Sequence, residues 1–195
     1  MSQRTASVSR TTKETDIQLS LNLDGSGVSS VSTGIGFLDH MFTALTKHAR
    51  LDLTLSCKGD LHIDDHHTAE DCGLVFGEAL LAALGERKGI QRFGSAYAPL
   101  DEALARTVID LSGRPYAFVA LDLKREALGG LACENIPHVL HSIAMKAQMT
   151  LHVDLIRGEN DHHKAEAAFK SFALALRQAI ALDGTNDIPS TKGVL

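Results

Sequence analysis

The sequence predicts an α+β fold made of two similar halves, each with the element order β-β-β-α-β-α. In each half, short stretches that alternate polar and apolar residues, as half-buried strands do, precede apolar stretches with helical spacing. A His-His-x-x-Glu motif also occurs twice, at 66–70 and 162–166, and each copy follows an aspartate and opens a long predicted helix. An internal duplication explains both observations, with two sheets and their helices packed back to back.

The first half contains four predicted strands and two predicted helices. Alternation predicts strands at 4–10, 16–23, 28–32 and 51–56, separated by glycine-containing turns at 24–27 and 34–36. Apolar residues at three-four spacing predict an amphipathic helix over 37–48. After a polar loop at 58–65, a second helix is predicted over about 68–84, ended by Gly85.

The second half repeats this order. Strands are predicted at 93–98, 103–111, 116–123 and 150–156, and helices at about 138–148 and from the second His pair to about 182. No element is predicted over 124–137, which contains Gly129-Gly130. We therefore assign 1–92 to the first half and 93–195, with a C-terminal tail, to the second half of one compact unit.

Composition excludes several classes of protein. With 195 residues, 44% of them hydrophobic, the chain can bury a core. A net charge of -5 without charge blocks argues against general nucleic-acid or membrane-surface binding. Since no apolar run approaches the roughly 20 residues of a membrane span and the N-terminus lacks a signal-peptide core, we expect a cytoplasmic protein. Three scattered cysteines, Cys57, Cys72 and Cys133, indicate reduced thiols.

The two motifs have the residue types and spacing of metal ligands. On a helix, Glu70 shares a face with His66 and His67, and Glu166 with the second pair. Adjacent side chains diverge by about 100° around a helix axis, so one motif cannot easily direct both imidazoles at one ion. The sequence therefore predicts two ions, each taking one histidine from a pair.

Counting along the repeat adds one histidine to each set. From Leu53 to His66 is 13 residues and from Leu151 to His162 is 11, so the position 26 residues before His66 corresponds to the position 24 residues before His162. These positions are His40 and His138. The predicted ligands are thus His40, His66, His67 and Glu70, matched by His138, His162, His163 and Glu166. Four protein ligands per ion leave two open positions on an octahedral ion, and a nitrogen and oxygen set without thiolate fits manganese, iron or zinc, with manganese favoured by octahedral geometry.

Other residues have simpler readings. A single His-His pair can merely cap a helix, and His48, His62, His141 and His152, which lack counterparts in the other half, are expected on the surface or on helix faces. His48 and His141 are the two that could still reach a site at the start of a helix. Asp65 and Asp161 are expected to cap the helices or to bind a ligand imidazole. An isolated arginine is usually a solvated charge, but Arg92 and Arg114 together with the tail Pro189-Ser190-Thr191-Lys192-Gly193 offer the chemistry of an anion clamp.

At this point the motifs identify a family. Arg-Thr-Ala-Ser-Val-Ser-Arg-Thr-Thr-Lys-Glu-Thr, Gly-Ile-Gly-Phe-Leu-Asp-His-Met, Asp-His-His-Thr-Ala-Glu-Asp, Asp-His-His-Lys-Ala-Glu-Ala-Ala-Phe-Lys and Pro-Ser-Thr-Lys-Gly closely resemble imidazoleglycerol-phosphate dehydratase, from about residue 4 to 193. The resemblance implies dehydration of imidazole glycerol phosphate to imidazole acetol phosphate in histidine biosynthesis, with Mn²⁺ as cofactor at two ions per subunit. It also implies a homo-oligomer of 24 subunits built from trimers, with sites formed by more than one chain.

The resemblance also implies roles for residues outside the metal set. Glu14 becomes the candidate for proton transfer and substrate contact, against the simpler reading of a surface partner for Lys13; Arg92, Arg114, Ser190, Thr191 and Lys192 become contacts to the substrate and its phosphate. Two metals that each bind one nitrogen of the substrate ring would stabilise an imidazolate, and loss of the hydroxyl would give a diazafulvene-like intermediate. Two alternatives use the same ligands: a dimetal hydrolase with a metal-bridging water, and a non-enzymatic protein whose ions only hold subunits together.

Overall fold

The computed structural model describes residues 4–195 and confirms the α+β class and the duplicated unit; residues 1–3 of the predicted first half lie outside the described residues. The first half consists of β1 (Thr5–Thr11), β2 (Thr15–Asn22), β3 (Ser29–Ser32), α1 (Gly36–Ala49), β4 (Asp52–Gly59) and α2 (His66–Leu84). The second half consists of β5 (Phe93–Leu100), β6 (Ala103–Asp110), β7 (Tyr116–Ala120), β8 (Ala127–Leu128), β9 (Leu131–Ala132), α3 (Asn135–Ala147), β10 (Thr150–Arg157) and α4 (Asp161–Ala179).

The two four-stranded sheets have the same topology. Their strand orders are β1-β2-β4-β3 and β5-β6-β10-β7, and in each the final pair is parallel while the other pairs are antiparallel. Alternation in β2 buries Ile17, Leu19 and Leu21 on one face and exposes the residues between them. Each sheet therefore has one apolar face, which must be covered by helices.

The helices cover these faces and then pack across the two halves. α2 lies on β1 and β2, and α4 lies on β5 and β6, whereas the helix pairs in contact are α2 with α3 and α1 with α4. Glycines allow α2 and α3 to approach closely, because a Cβ on Gly77 would lie 2.5 Å from the carbonyl oxygen of Ile143. Gly73 lies against Val139 and Gly77 against Ile143, so the two helices run in the same direction with their first turns side by side.

Element boundaries differ from the predicted ones mainly at the starts of helices. α2 begins at His66 rather than Thr68, so the first His pair lies within the helix, and α3 begins at Asn135 rather than His138. Pro137 falls in the first turn of α3, where its missing N–H costs no hydrogen bond, so the proline did not mark the boundary. α4 ends at Ala179, three residues early, because Ala181 and Asp183 pair through their backbones with Gln91 and Gly89.

The segment without a predicted element contains a short hairpin formed by β8 and β9. Among residues 4–195, no helix is long and apolar enough to cross a membrane.

Candidate metal centres

The first group of metal-binding side chains joins α1 and α4, and we call it the α1–α4 cluster. It consists of His40, His162 and Glu166. Nε2 of His40 lies 3.0 Å, and Nε2 of His162 3.3 Å, from the same carboxylate oxygen, Oε2 of Glu166. Phe37 packs edge-on against the His162 ring, with centroids 5.1 Å apart. Three donor atoms therefore converge at the first turns of two packed helices.

The second group, the α2–α3 cluster, has the same composition. It consists of His66, Glu70 and His138. Nε2 of His66 lies 3.9 Å from Glu70 Oε2, and Nε2 of His138 lies 3.3 Å from Glu70 Oε1. The two imidazoles stack with centroids 5.1 Å apart, and Nδ1 of His66 donates to Oδ1 of the buried Asn135 at 2.9 Å.

Each cluster therefore combines helices from both halves. The sequence arranged the ligands by half and left their assignment to ions open, whereas the structure places His40 with the second motif and His138 with the first. The reason is the cross-half packing, in which α1 contacts α4 and α2 contacts α3. The four histidines expected elsewhere belong to neither cluster, although His141 stacks on His138 at 6.1 Å.

The remaining two predicted ligands, His67 and His163, lie outside both clusters. Within each pair the ring planes diverge, by 71° for His66 and His67 and by 89° for His162 and His163. Nδ1 of His67 donates to Asp60 at 3.0 Å, and Nδ1 of His163 donates to Glu102 at 2.7 Å. These hydrogen bonds raise the pKa of both imidazoles. Each Nε2 is thereby left as the atom available to a ligand.

The chemistry of both clusters fits a divalent cation. Their donors are imidazole nitrogens and carboxylate oxygens within 4.8 Å of one another, close to the spacing of ligands around one ion. Nε2 of His138 is buried and makes no hydrogen bond within residues 4–195, so it and Glu70 point at a common position rather than at each other. Burial raises the pKa of Glu166, but hydrogen bonds from Lys170 and His40 outweigh it and hold the pKa at about 2, so the ligand is ionised.

Glu14, the predicted acid or base, lies beside His67, one of the two histidines outside the clusters. Its Oε1 is 3.7 Å from Nε2 of His67, and its side chain is 52% exposed. It therefore adjoins the nitrogen of His67 that does not bind Asp60, and it lies outside both clusters of its own chain.

The predicted phosphate contacts lie at the other end of α4. The backbone N–H of Arg92 donates to the carbonyl of Ala179, the last residue of α4, so this region is about 25 Å from His162 at 1.5 Å per residue. The Arg92 side chain forms a two-pronged ion pair with Asp110, at 2.7 and 3.1 Å, and donates to the carbonyl of Pro189, which ties the tail to β5. Arg114 is more open, with its side chain 67% exposed and 3.9 Å from Asp110. Ser190, Thr191 and Lys192 continue the tail from this point, with the Lys192 N–H donating to Ser190 Oγ at 3.2 Å.

The expected role of Asp65 and Asp161 was wrong. Neither caps its helix through the side chain or contacts an imidazole; instead both bind the segment that contains the β8–β9 hairpin. Asp65 accepts the N–H of Ala132 at 2.6 Å, and Asp161 accepts the N–H groups of Lys124 and Arg125, each at 2.7 Å. Buried Lys164 pairs with Asp161 at 2.8 Å. The hairpin is thus attached to the first turns of both motif helices.

Sequence reasoning missed three residues that accept hydrogen bonds from the motif histidines, namely Asp60, Glu102 and Asn135. Asp60 and Asn135 had no signal, because only tertiary packing brings them to the rings. Glu102 had one, since it occupies the turn before β6 that Glu14 occupies before β2.

Known proteins resemble the chain over nearly its whole length. A family model described as imidazoleglycerol-phosphate dehydratase matches residues 33–176. Imidazoleglycerol-phosphate dehydratase of Scheffersomyces stipitis is 55% identical over 219 residues, covering 98% of this chain and 99% of the relative. That of Saccharomyces cerevisiae is 52% identical over 219 residues, covering 100% of both.

Two solved structures share the fold. A crystal structure of imidazoleglycerol-phosphate dehydratase from Staphylococcus aureus superimposes with a TM-score of 0.83 at 39% identity, over 91% of this chain and 99% of that one. The enzyme from Pyrococcus furiosus in complex with (S)-C348 superimposes with a TM-score of 0.81 at 38% identity, over 96% and 100%.

Proposed function

The chain belongs to the imidazoleglycerol-phosphate dehydratase family, and from this premise we propose that its reaction takes place between two chains that exchange one histidine each. The enzyme is a hydro-lyase of histidine biosynthesis, and its substrate carries an imidazole ring and a phosphate. The observation that carries the proposal is the position of His67 and His163, which lie outside both clusters of their own chain.

The exchange completes both clusters. His67 of a neighbouring subunit supplies a third imidazole to the α1–α4 cluster, and His163 of this chain supplies the third imidazole to the neighbour's α2–α3 cluster. Each site would then offer three imidazoles and one carboxylate to a cation, and a six-coordinate cation would keep two positions for other ligands. We assign Mn²⁺, two ions per subunit, because nitrogen and oxygen donors without thiolate in octahedral geometry favour it.

The two completed sites lie close together because the two histidines of each pair are neighbours and belong to different sites. The centroids of His66 and His67 are 6.0 Å apart, and those of His162 and His163 are 6.2 Å apart. Exchange therefore places the α1–α4 cluster of one chain beside the α2–α3 cluster of the next, one for each nitrogen of a substrate imidazole. When bound, the two cations supply Lewis-acid charge at those nitrogens, as a route through an imidazolate and a diazafulvene-like intermediate requires.

Glu14 supplies the proton transfer in this proposal. It adjoins His67, so the exchange carries it into the neighbour's site together with that ligand. There its exposed carboxylate takes the proton from the carbon next to the one that loses the hydroxyl, as a general base within reach of the substrate.

The phosphate is held by a different chain from the one that supplies the α1–α4 cluster. The separation of about 25 Å along α4 exceeds the length of a three-carbon phosphate side chain, so Arg92, Arg114 and the residues 190–192 of one subunit serve a site formed by others. Arg92 holds Pro189 in place, and Arg114 and Lys192 have cationic groups available for a phosphate. A closed homo-oligomer meets this need, and we propose the 24-subunit assembly of trimers that the resemblance implies.

Metal removal and azole competition test this function. Metal-stripped protein is expected to lose dehydration of imidazole glycerol phosphate and to regain it as about two Mn²⁺ bind per chain. 1,2,4-Triazole is expected to compete with the substrate, because its nitrogens can occupy both ions. Full turnover without metal, or turnover that triazole does not inhibit, would contradict the proposal. A dimetal hydrolase would instead release inorganic phosphate, and a purely structural metal protein would do neither.

A further inference from the structure

Two glutamates occupy equivalent turns in the duplicated halves. Glu14 directly precedes β2, and Glu102 directly precedes β6, the corresponding strand of the second sheet. Each lies beside the histidine of its own half that is outside the clusters, His67 for Glu14 and His163 for Glu102. Duplication alone would give both carboxylates the same task.

The two carboxylates nevertheless face opposite nitrogens of their imidazoles. Glu14 Oε1 lies 3.7 Å from Nε2 of His67, the atom that a metal would bind. Glu102 Oε2 accepts a hydrogen bond from Nδ1 of His163 at 2.7 Å, and its other oxygen accepts the backbone N–H groups of Glu159 and Asn160 at 3.1 and 2.9 Å. Glu102 is therefore fixed by three donors, whereas the Glu14 side chain is 52% exposed.

Loop length gives a physical reason for the difference. Between the end of the central strand and the motif helix, the first half has residues 60–65 and the second half only 158–160. The longer loop places Asp60 at Nδ1 of His67, 3.0 Å away, so Glu14 is not needed at that nitrogen. The shorter loop delivers no carboxylate to Nδ1 of His163, and its backbone N–H groups instead hold Glu102 there.

We propose that Glu102 is a positioning residue whose carboxylate fixes the proton of His163 on Nδ1 and so presents Nε2 to the metal site of the neighbouring subunit, the task that Asp60 performs for His67. The repeat has thus divided one ancestral position into a proton-transfer residue, Glu14, and a ligand-orienting residue, Glu102. This inference rests on the exchange of histidines proposed above. A carboxylate on the far nitrogen of a metal-binding imidazole fixes its tautomer and its direction.

Glutamine at position 102 is a sharp test, because it keeps the shape of the side chain. One amide oxygen cannot serve both the backbone N–H groups and Nδ1, and an amide N–H facing Nδ1 favours the tautomer with its proton on Nε2, which cannot bind a cation. Glu102→Gln is therefore expected to raise the Mn²⁺ concentration at half-maximal binding by about 10- to 100-fold.

The experiment follows Mn²⁺ binding by calorimetry, oligomer size by sedimentation velocity and turnover, each across a Mn²⁺ titration of the whole protein. Glu102→Gln is expected to assemble and turn over again at the higher Mn²⁺ concentration. Glu14→Gln is expected to bind Mn²⁺ and assemble as the unaltered protein does, with turnover lost at every concentration. Glu86→Gln, which removes an exposed carboxylate paired with Lys88, is the matched control and is expected to change none of the three.

Three results would overturn the inference. The first is Mn²⁺ binding and turnover by Glu102→Gln that both match the unaltered protein. The second is unchanged Mn²⁺ binding with lost turnover, which would give Glu102 the proton-transfer role proposed for Glu14. The third is assembly that no Mn²⁺ concentration restores, which would make Glu102 a structural residue. His163→Ala separates this from the proposed function: if that variant binds Mn²⁺ normally, the histidine exchange itself is wrong.

Discussion

Mixed oligomers of two inactive variants are expected to recover activity if each site is shared between chains. In the proposed site, one chain supplies the α1–α4 cluster and His163, and the next supplies the α2–α3 cluster and His67. His40→Ala damages the first contribution and His66→Ala damages the second, so every site in either pure oligomer lacks a ligand. When the two are mixed, an intact site forms wherever the His66→Ala chain supplies the first contribution and the His40→Ala chain the second.

The size of the recovery follows from counting interfaces. In a random one-to-one assembly of identical head-to-tail contacts, about a quarter of the interfaces join two intact contributions, about a quarter join two damaged ones and the rest have one of each. Mixed oligomers should therefore have about a quarter of the normal activity per chain. The assay is co-expression of the two variants with different tags, purification over both tags and measurement of dehydration with Mn²⁺ in excess.

A matched pair gives the opposite expectation. His40→Ala and His163→Ala damage the same contribution, so their mixture should stay inactive at every ratio. The shared site would be refuted by verified His40→Ala and His66→Ala mixed oligomers that remain inactive, or by activity in the matched pair.

Three further predictions concern the framework of the site. Gly77→Ala puts a Cβ 2.5 Å from the Ile143 carbonyl oxygen, so α2 and α3 must separate. We expect the free energy of unfolding to fall by about 1–3 kcal/mol and the melting temperature to fall by about 2–4 °C per kcal/mol. Gly36→Ala, whose Cβ meets nothing within 4 Å, is the control. Lys164→Met leaves the buried carboxylate of Asp161 without its cationic partner, so the free energy of unfolding measured in urea should fall by about 3 kcal/mol. Lys124→Met, which changes an exposed lysine, is the control and should not show this fall. The backbone N–H groups of Ser26 and Val28 lower the pKa of Asp52 below 3.8, so the stabilisation due to its charge is present above that pH and is lost as the pH falls through the lowered value. The difference in unfolding free energy between the unaltered protein and Asp52→Ala should therefore become smaller in acid.

Local patterns were sufficient to predict the four strands and two helices that the two halves share, and the residue types of the candidate metal clusters. Alternation located β2 to within one residue at each end, and helical spacing located α1 to within one residue, because one buried face dictates the pattern of each. The repeat predicted that His40 and His138 are equivalent, and the structure places both in the first turns of corresponding helices within three-residue clusters. These predictions need only the order and spacing of residues along the chain, not the packing of one element on another.

Features that depend on packing between halves were beyond the sequence. Nothing in the spacing of His40 indicates that α1 packs on α4, and so its partners were left open. Asp65 precedes α2 but binds the β8–β9 segment instead of capping the helix. Asp161 lies inside α4 and also binds that segment, because Asn160 occupies the cap position and accepts the N–H groups of His162 and His163. The different roles proposed for Glu14 and Glu102 follow from a loop before the motif that is two residues longer in the first half, and this loop is not itself part of a motif.

The divergence of adjacent helical side chains links the metal sites to assembly. Because adjacent side chains on a helix diverge by about 100°, a chain that gives one histidine of each pair to its own cluster directs the other elsewhere. A monomer would leave two imidazoles unused and both clusters with three ligands. In the proposed exchange each imidazole gains an ion only when a second chain is present, so ions that bind the assembled state stabilise it over separated chains by mass action. Metal binding, subunit contact and the alignment of two cations on one substrate ring would then be consequences of a single sequence feature, the doubled His-His pair.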